Sequence, residues 1–283
     1  MAKHDMTPDQ IEAALAFAGR LADSAQEITL KHFRAGGIVE NKKTEQDYDP
    51  VTDADRGAET AIRNLIEAER PGDGILGEEH GEIISENGYC WILDPIDGTR
   101  AFVAGLPVWT TLIALCGPDG TPLIGVIDQP YLGERYLGWP GGAALETNDG
   151  VRVPLKVSRV DDLRKARIAT TDPFIMNPAE QGAWTHLRHT AQIVRYGLDA
   201  YAYARLAAGS IDLVAEGGLA PYDAAALIPV VRGAGGLACD WHGNPAMPGG
   251  QLVCAATQGV LDDALVSLRR SVDRSPIIKE DLK

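Results

Sequence analysis

The sequence predicts a mixed α/β protein, α+β in its N-terminal half and α/β in its C-terminal half. Residues 1–150 begin with two stretches of apolar residues at helical spacing and then turn to successive strand-like runs. Residues 151–283 alternate strand with helix. Between the halves, residues 139–157 are rich in glycine and turn formers, and the boundary is placed there.

Each element has its own warrant. Thr7-Pro8-Asp9-Gln10 offers a capping hydroxyl, a proline at the first helical position and a glutamine where a capping box needs one. Ile11, Leu15, Ala18, Leu21, Ala25 and Ile28 carry that helix forward until Gly36-Gly37. Residues 41–49 are polar and read as a loop. Val51-Thr52-Asp53-Ala54-Asp55 opens a second helix, with Ala58, Ile62, Leu65 and Ile66 on one face and Arg70-Pro71-Gly72 at its end. A short strand at Ile75-Leu76 runs into Gly77-Glu78-Glu79. Residues 89–93 form a buried strand that ends on Asp94, because Pro95 removes a backbone donor. Strands at 109–116, 122–128 and about 135–138 make a meander, with Pro118-Asp119-Gly120 turning the first pair. In the second half, strands fit 167–170, 193–196, 211–215, 237–239 and 252–255, and helices fit 178–190, 200–208, 223–232 and 260–270. Gly233-Ala234-Gly235-Gly236 follows a helix and precedes a strand, the reverse of a dinucleotide loop, and reads as a helix C-cap and turn. The chain after Ser271 is expected to fray.

Composition narrows the function classes. The 283 residues are 45% hydrophobic, enough for a proper core, and carry a formal charge of −14. Such a charge argues against nucleic acid or acidic lipid as a partner. It also repels an anionic substrate unless divalent cations intervene. No apolar run reaches the roughly 18 residues of a membrane span, and the polar start does not resemble a signal peptide. Cys90, Cys116, Cys239 and Cys254 are scattered among apolar neighbours, as expected of buried free thiols in a reducing cytoplasm rather than zinc ligands. Of the dispersed histidines only His80 sits near acids, where a surface or supporting role is expected.

The chemistry concentrates on Asp94-Pro95-Ile96-Asp97-Gly98-Thr99-Arg100. Two carboxylates on a stiffened bend suit a hard cation such as Mg²⁺, while Gly98 admits a ligand close to the backbone and Thr99 adds a hydroxyl. A plain turn is the simplest alternative, since Asp-Pro and Asp-Gly are ordinary turn dipeptides. A calcium loop fails because its twelfth position holds Gly105 instead of glutamate. An aspartyl-phosphate core has one residue between its acids and this bend has two; a phosphate-cradling Gly-x-x-x-x-Gly-Lys loop is absent.

Three further acidic motifs stand apart: Asp55 at a helix start, Glu78 after a short strand and Asp223 opening a late helix. Any one alone reads as a helix cap or solvated surface. Together, Val51-Thr52-Asp53-Ala54-Asp55, Gly77-Glu78-Glu79, Asp94-Pro95-Ile96-Asp97-Gly98-Thr99 and Tyr222-Asp223-Ala224-Ala225 resemble the signature of the inositol monophosphatase-like, lithium-sensitive phosphatase superfamily. Within it the chain is most similar to the histidinol-phosphatases of this fold, on Asp97-Gly98-Thr99-Arg100-Ala101-Phe102, residues 110–115, Gly125-Val126-Ile127-Asp128-Gln129-Pro130 and Leu219-Ala220-Pro221-Tyr222-Asp223. It departs from the inositol enzymes, which usually carry Thr-Asn-Phe after the Asp-Gly-Thr and a tryptophan where Tyr222 stands. Either Lys42 or Lys43 takes the superfamily's lysine position.

The resemblance implies a layered αβαβα sandwich, a homodimer, lithium inhibition and hydrolysis of a phosphate monoester with two or three Mg²⁺ per site. By the same resemblance Glu78, Asp94, the Ile96 carbonyl, Asp97 and Asp223 hold the metals. Glu78 and Thr99, with Asp55 orienting the threonine, place the attacking water. Backbone N–H groups of Gly98 and Thr99 receive phosphate oxygens, and Asp97, Arg100, Gly197, Asp199 and Glu216 fall in the substrate-binding region. Two metals activating water and stabilising the leaving alkoxide need no covalent nucleophile, and none is obvious. Most of the metal ligands thus belong to residues 1–150, and Asp223 with the specificity residues to 151–283. Asp199, where inositol enzymes have a small residue, is expected to pair with Glu216 around the ammonium of L-histidinol phosphate; the rival reading is that Asp199 caps the helix near Ala200. The expected activity is release of L-histidinol and phosphate, a step of histidine biosynthesis. A broad inositol or sugar monophosphatase and a non-catalytic metal-binding regulator are the alternatives.

Overall fold

A computed structural model describes residues 6–35, 39–41 and 50–272. Gly36, Gly37, Lys42, Lys43 and the tail beyond residue 272 lie outside the described residues. Helix α1 (Pro8–His32) starts as its sequence predicts: the Thr7 N–H donates to Gln10 Oε1 at 2.8 Å and the Gln10 N–H returns to Thr7 Oγ1 at 3.3 Å. Strands β1 (Val39–Asn41) and β2 (Pro50–Thr52) pair antiparallel and lead into α2 (Asp53–Glu69).

Strands β3 (Gly74–Gly77), β4 (Gly81–Ile83), β5 (Cys90–Asp97), β6 (Thr110–Cys116), β7 (Pro122–Gln129), β8 (Glu134–Trp139), β9 (Gly142–Thr147) and β10 (Arg152–Pro154) form one sheet in the order β10-β9-β8-β7-β6-β5-β3-β4. A one-turn helix, α3 (Thr99–Val103), follows β5. The chain then passes through β11 (Arg167–Thr170), α4 (Pro178–Thr190), β12 (Ile193–Tyr196), α5 (Tyr201–Ala207), β13 (Leu213–Leu219), α6 (Pro221–Ala224), α7 (Leu227–Gly233), β14 (Leu237–Cys239), β15 (Gly250–Ala255) and α8 (Gln258–Val272). The second sheet has the order β12-β11-β13-β15-β14.

Three apolar clusters set the layering. Leu15, Leu21 and Ile62 of α1 and α2 bury against Trp91, Leu93, Ile113 and Val126 on one face of the large sheet. Its other face, through Ile92, Leu112 and Ile127, packs on Tyr203, Leu206, Leu227 and Val230 of α5 and α7, which also cover Val214 and Cys254 of the small sheet. The far face of the small sheet, with Ile168, Leu213 and Val253, is closed by Trp184 of α4 and Leu265 of α8. Alternate residues of each strand therefore feed two different cores. The result is the αβαβα sandwich. All four cysteines are free, and Cys116, Cys239 and Cys254 are buried. Among the described residues no helix is long and apolar enough to cross a membrane.

Four sequence expectations need correction. β5 does not end on Asp94 but continues to Asp97, with the register to β6 shifted between them: Asp94 faces Leu112 and Asp97 faces Thr110. Pro95 thus interrupts the ladder without ending the strand. Residues 139–157 are not only turns, because β9 and β10 extend the first sheet there. The helix expected over 223–232 is two, α6 and α7. In a continuous helix the Pro229 ring would meet the carbonyl of Ala225, so the chain breaks between them. β13 runs over Leu213–Leu219 instead of 211–215.

Candidate active site

The bulge in β5 explains how two acids three residues apart share a face. In a regular strand positions i and i+3 point to opposite sides; one extra residue restores the two-residue phase and turns Asp94 and Asp97 the same way. The bend is pinned from both sides. The Ile96 N–H donates to Asp94 Oδ1 at 3.0 Å, and Thr111 Oγ1 donates to the Pro95 carbonyl at 2.7 Å. Asp97 Oδ2 accepts from the Ala200 N–H at 2.7 Å and from Thr110 Oγ1 at 3.4 Å, which ties the bend to the start of α5. Gly98 has φ 79°, in the left-handed region, and a side chain there would meet the Asp199 carboxylate at 3.0 Å. Only glycine fits.

The other acids arrive from separate elements. Asp55 lies in the first turn of α2, where its Oδ2 accepts from the Thr52 N–H at 2.9 Å, while Oδ1 lies 3.5 Å from Thr99 Oγ1. Asp55 is therefore both a helix cap and a neighbour of the threonine. Thr99 Oγ1 also donates to the Ile96 carbonyl at 3.1 Å, which uses one of that oxygen's two lone pairs. Glu78 follows β3, and its N–H donates to the Leu93 carbonyl at 3.3 Å, fixing the turn beside β5. Beneath that turn Glu59 of α2 is fully buried; it accepts from the Glu79 N–H at 2.7 Å and the His80 N–H at 3.1 Å, and is bridged by Arg63 at 2.7 Å. A side chain at Gly77 would strike the Glu59 carboxylate, so glycine there lets the two elements close. Asp223 opens α6, with Oδ2 accepting from the Ala220 N–H at 2.7 Å.

One oxygen from each of Asp94, Asp97 and Asp223 lies within 4.8 Å of the others, and no other trio of His, Cys, Asp or Glu among the described residues does so. Glu78 stands outside the trio, but after burial it is the strongest influence holding the Asp94 carboxyl well above the usual range, with Asp97, Asp223 and Asp55 adding to it. Burial likewise raises Asp97, and Asp199 adds repulsion against the Ala200 hydrogen bond. Burial lifts Asp55 to about 6 despite its bonds to Thr52. Hard carboxylate oxygens, that of Asp94 buried and those of Asp97 and Asp223 half-buried, drawn together and repelling one another, are the donor set that suits Mg²⁺.

Asp97 and Asp223 of the trio face a cavity of about 330 Å³ at the ends of β5, β11 and β13, lined also by Gly98, Thr99, Arg100, Asp199, Tyr203 and Glu216. Asp199 has φ 47° and points at Gly98; α5 carries no side-chain cap, so the capping alternative for Asp199 is not what the structure shows. Burial lifts Asp199 to about 6, against the nearby Arg100 guanidinium and with Asp223 adding repulsion. Glu216 Oε1 accepts from the N–H and Oγ1 of Thr171 at 2.8 and 2.6 Å, and burial still raises the carboxyl to about 7. Gly197 does not line the cavity: it is exposed, and its N–H donates to the Thr171 carbonyl at 2.8 Å. Sequence reading missed Glu59, Thr171 and Tyr203. The pair Glu59 and Arg63 at helical i, i+4 spacing was the one visible hint, and it reads equally well as surface decoration.

Fold and site together define a class first: a layered α/β protein with a cluster of carboxylates able to hold a metal ion beside a cavity of small-molecule size. Residues 10–274 match the inositol monophosphatase family, and the chain belongs to that family. It is similar to the histidinol-phosphatase of Mycobacterium tuberculosis, 39% identical over 93% of this chain and 98% of the relative. It is similar also to the bifunctional phosphatase IMPL2, chloroplastic, of Arabidopsis thaliana, 39% identical over 85% of this chain and 68% of that protein. A solved inositol monophosphatase from Zymomonas mobilis superposes with a TM-score of 0.80 at 37% identity, over 91% of this chain and 98% of the other.

Proposed function

We propose that the chain is a Mg²⁺-dependent histidinol-phosphatase that hydrolyses L-histidinol phosphate to L-histidinol and phosphate. The observation that carries this reading is the second pair of acids, Asp199 and Glu216, on the wall of the cavity that Asp97 and Asp223 of the trio also line, with Asp94 buried behind them. A substrate bearing both a phosphate and an ammonium suits such a site; a neutral polyol does not need the second pair. The similarity to histidinol-phosphatases over nearly the whole chain supports the same substrate.

In this reading Glu78, Asp94, the Ile96 carbonyl, Asp97 and Asp223 would hold two or three Mg²⁺. When bound, Mg²⁺ acts as a Lewis acid that makes water a better nucleophile and offsets the charge of the ester. The chain supplies the geometry. Glu78 and the Thr99 hydroxyl accept the hydrogens of the attacking water, with Asp55 orienting Thr99. The N–H groups of Gly98 and Thr99 receive phosphate oxygens, and Arg100 lies at the mouth. Asp199 and Glu216 receive the ammonium, and Gly197 holds their loop through its bond to Thr171. Residues 1–150 thus contribute most metal ligands and 151–283 contribute Asp223 and selectivity. The protein works as a cytoplasmic homodimer on a small ester, with neither nucleic acid nor membrane as partner.

An inositol or sugar monophosphatase is the second reading, because the metal trio is indifferent to the alcohol and the Zymomonas mobilis structure is an inositol monophosphatase. Phosphate release from L-histidinol phosphate, inositol 1-phosphate and a sugar phosphate in Mg²⁺ separates them. A clear preference for the first supports the proposal; equal or better turnover of inositol 1-phosphate refutes it.

A further inference from the structure

Tyr203 is a residue whose chemistry the fold does not require. It is fully buried on α5, in the core between the two sheets, and it also borders the active-site cavity. Its hydroxyl makes no hydrogen bond of normal geometry with any group, although the Glu216 carboxylate stands beside it. A stranded buried hydroxyl is a cost to the resting fold. Phenylalanine would fill the same space without it. The hydroxyl therefore belongs to a liganded arrangement.

We propose that Tyr203 is a specificity-determining residue that completes an ammonium site with Asp199 and Glu216. This rests on the histidinol-phosphatase reading and adds the group that makes the site selective. Thr171 occupies Glu216 Oε1 with both its bonds, so the phenol O–H has the other oxygen of that carboxylate to donate to. With its proton directed there, the Tyr203 oxygen, shut from water in the resting cavity wall, keeps its lone pairs for a ligand's N–H. Burial and the neighbouring Glu216 charge keep the phenol neutral, so it remains a donor to the acid throughout. A primary ammonium carries three N–H donors and no acceptor. Asp199, Glu216 and Tyr203 all border one cavity, and their oxygens are the three acceptors an ammonium drawn against that wall would meet. A sugar or inositol hydroxyl, which needs an acceptor and a donor, gains less from such a wall.

The test is Tyr203→Phe, assayed with L-histidinol phosphate and inositol 1-phosphate in Mg²⁺ beside the wild type, with a thermal melt. The wild type is read first: no preference for L-histidinol phosphate overturns the underlying reading and this inference with it. Given that preference, kcat/KM for L-histidinol phosphate falls roughly tenfold, the scale of one hydrogen bond to a charged group. The loss lies in KM with kcat kept. Turnover of inositol 1-phosphate stays within about twofold, and the melting temperature is equal or higher. An intact preference in the variant, a matching loss on both esters, or a lowered melting temperature overturns the role of Tyr203 while leaving the histidinol-phosphatase reading in place.

Discussion

Asp199 offers the sharpest single perturbation, and its backbone decides which variant to make. Its φ of 47° lies in the left-handed region, which asparagine tolerates and alanine does not, so Asp199→Asn removes the charge without adding strain. At pH 7.5 the wild-type carboxyl, lifted to about 6 by burial, is ionised and able to receive an ammonium. A hydrogen bond to a charged group contributes about 1.5–3 kcal/mol, so kcat/KM for L-histidinol phosphate falls roughly 10- to 150-fold. For inositol 1-phosphate the sign differs. Asp199 is the strongest source of charge repulsion on Asp97, and removing it relieves that carboxylate; turnover is unchanged or raised within about threefold. Steady-state phosphate release on both esters measures the split. Equal losses on the two substrates, or none on either, refute the assignment of Asp199 to the ammonium.

Further outcomes follow from the same geometry. Asp94→Asn and Asp223→Asn each lower Mg²⁺-dependent turnover at least about 100-fold, more than loss of a supporting group costs, yet raise the melting temperature of metal-free protein by removing mutual repulsion. Glu59→Ala strands the Glu79 and His80 N–H groups and Arg63, and is expected to cost about 3–5 kcal/mol in chemical denaturation, with weaker Mg²⁺ activation as the Glu78 turn loosens. Metal-free protein takes up protons on folding, because Asp55 and Asp199 rise from 3.8 to about 6 and Glu216 from 4.5 to about 7. Its stability therefore increases as pH falls from 7 to 4, by up to about 1.4 kcal/mol per pH unit per group. Added Mg²⁺ reverses or flattens that slope; denaturant midpoints across pH that rise with pH in the metal-free protein contradict the picture.

What could be read beforehand was whatever local chemistry determines. Asn177-Pro178 with Glu180 is a complete helix start, and α4 begins there with Asn177 Oδ1 accepting from the Glu180 N–H at 3.0 Å. β9 was invisible because Gly142-Ala143-Ala144 lacks the branched residues that mark a strand; it forms because β8 offers it a free edge and Ala143 packs on α7. The gathering of Asp94, Asp97 and Asp223 was legible because each acid sits in its own turn signature. Its supports were not, since Glu59 meets Glu79 across 20 residues and Thr171 meets Glu216 across 45. Contacts of that span are products of the tertiary fold. Pro95 shows the limit from the other side: the local rule against ladder pairing held, and a bulge absorbed it.

The account depends on Asp94, Asp97 and Asp223 gathering divalent cations that admit a dianionic ester into an acidic cavity. Phosphate release from L-histidinol phosphate by chelator-stripped protein, followed as Mg²⁺ is added back, tests this most directly. The expected result is no turnover in the stripped state and full recovery at saturating Mg²⁺. Undiminished turnover by the stripped protein would contradict it.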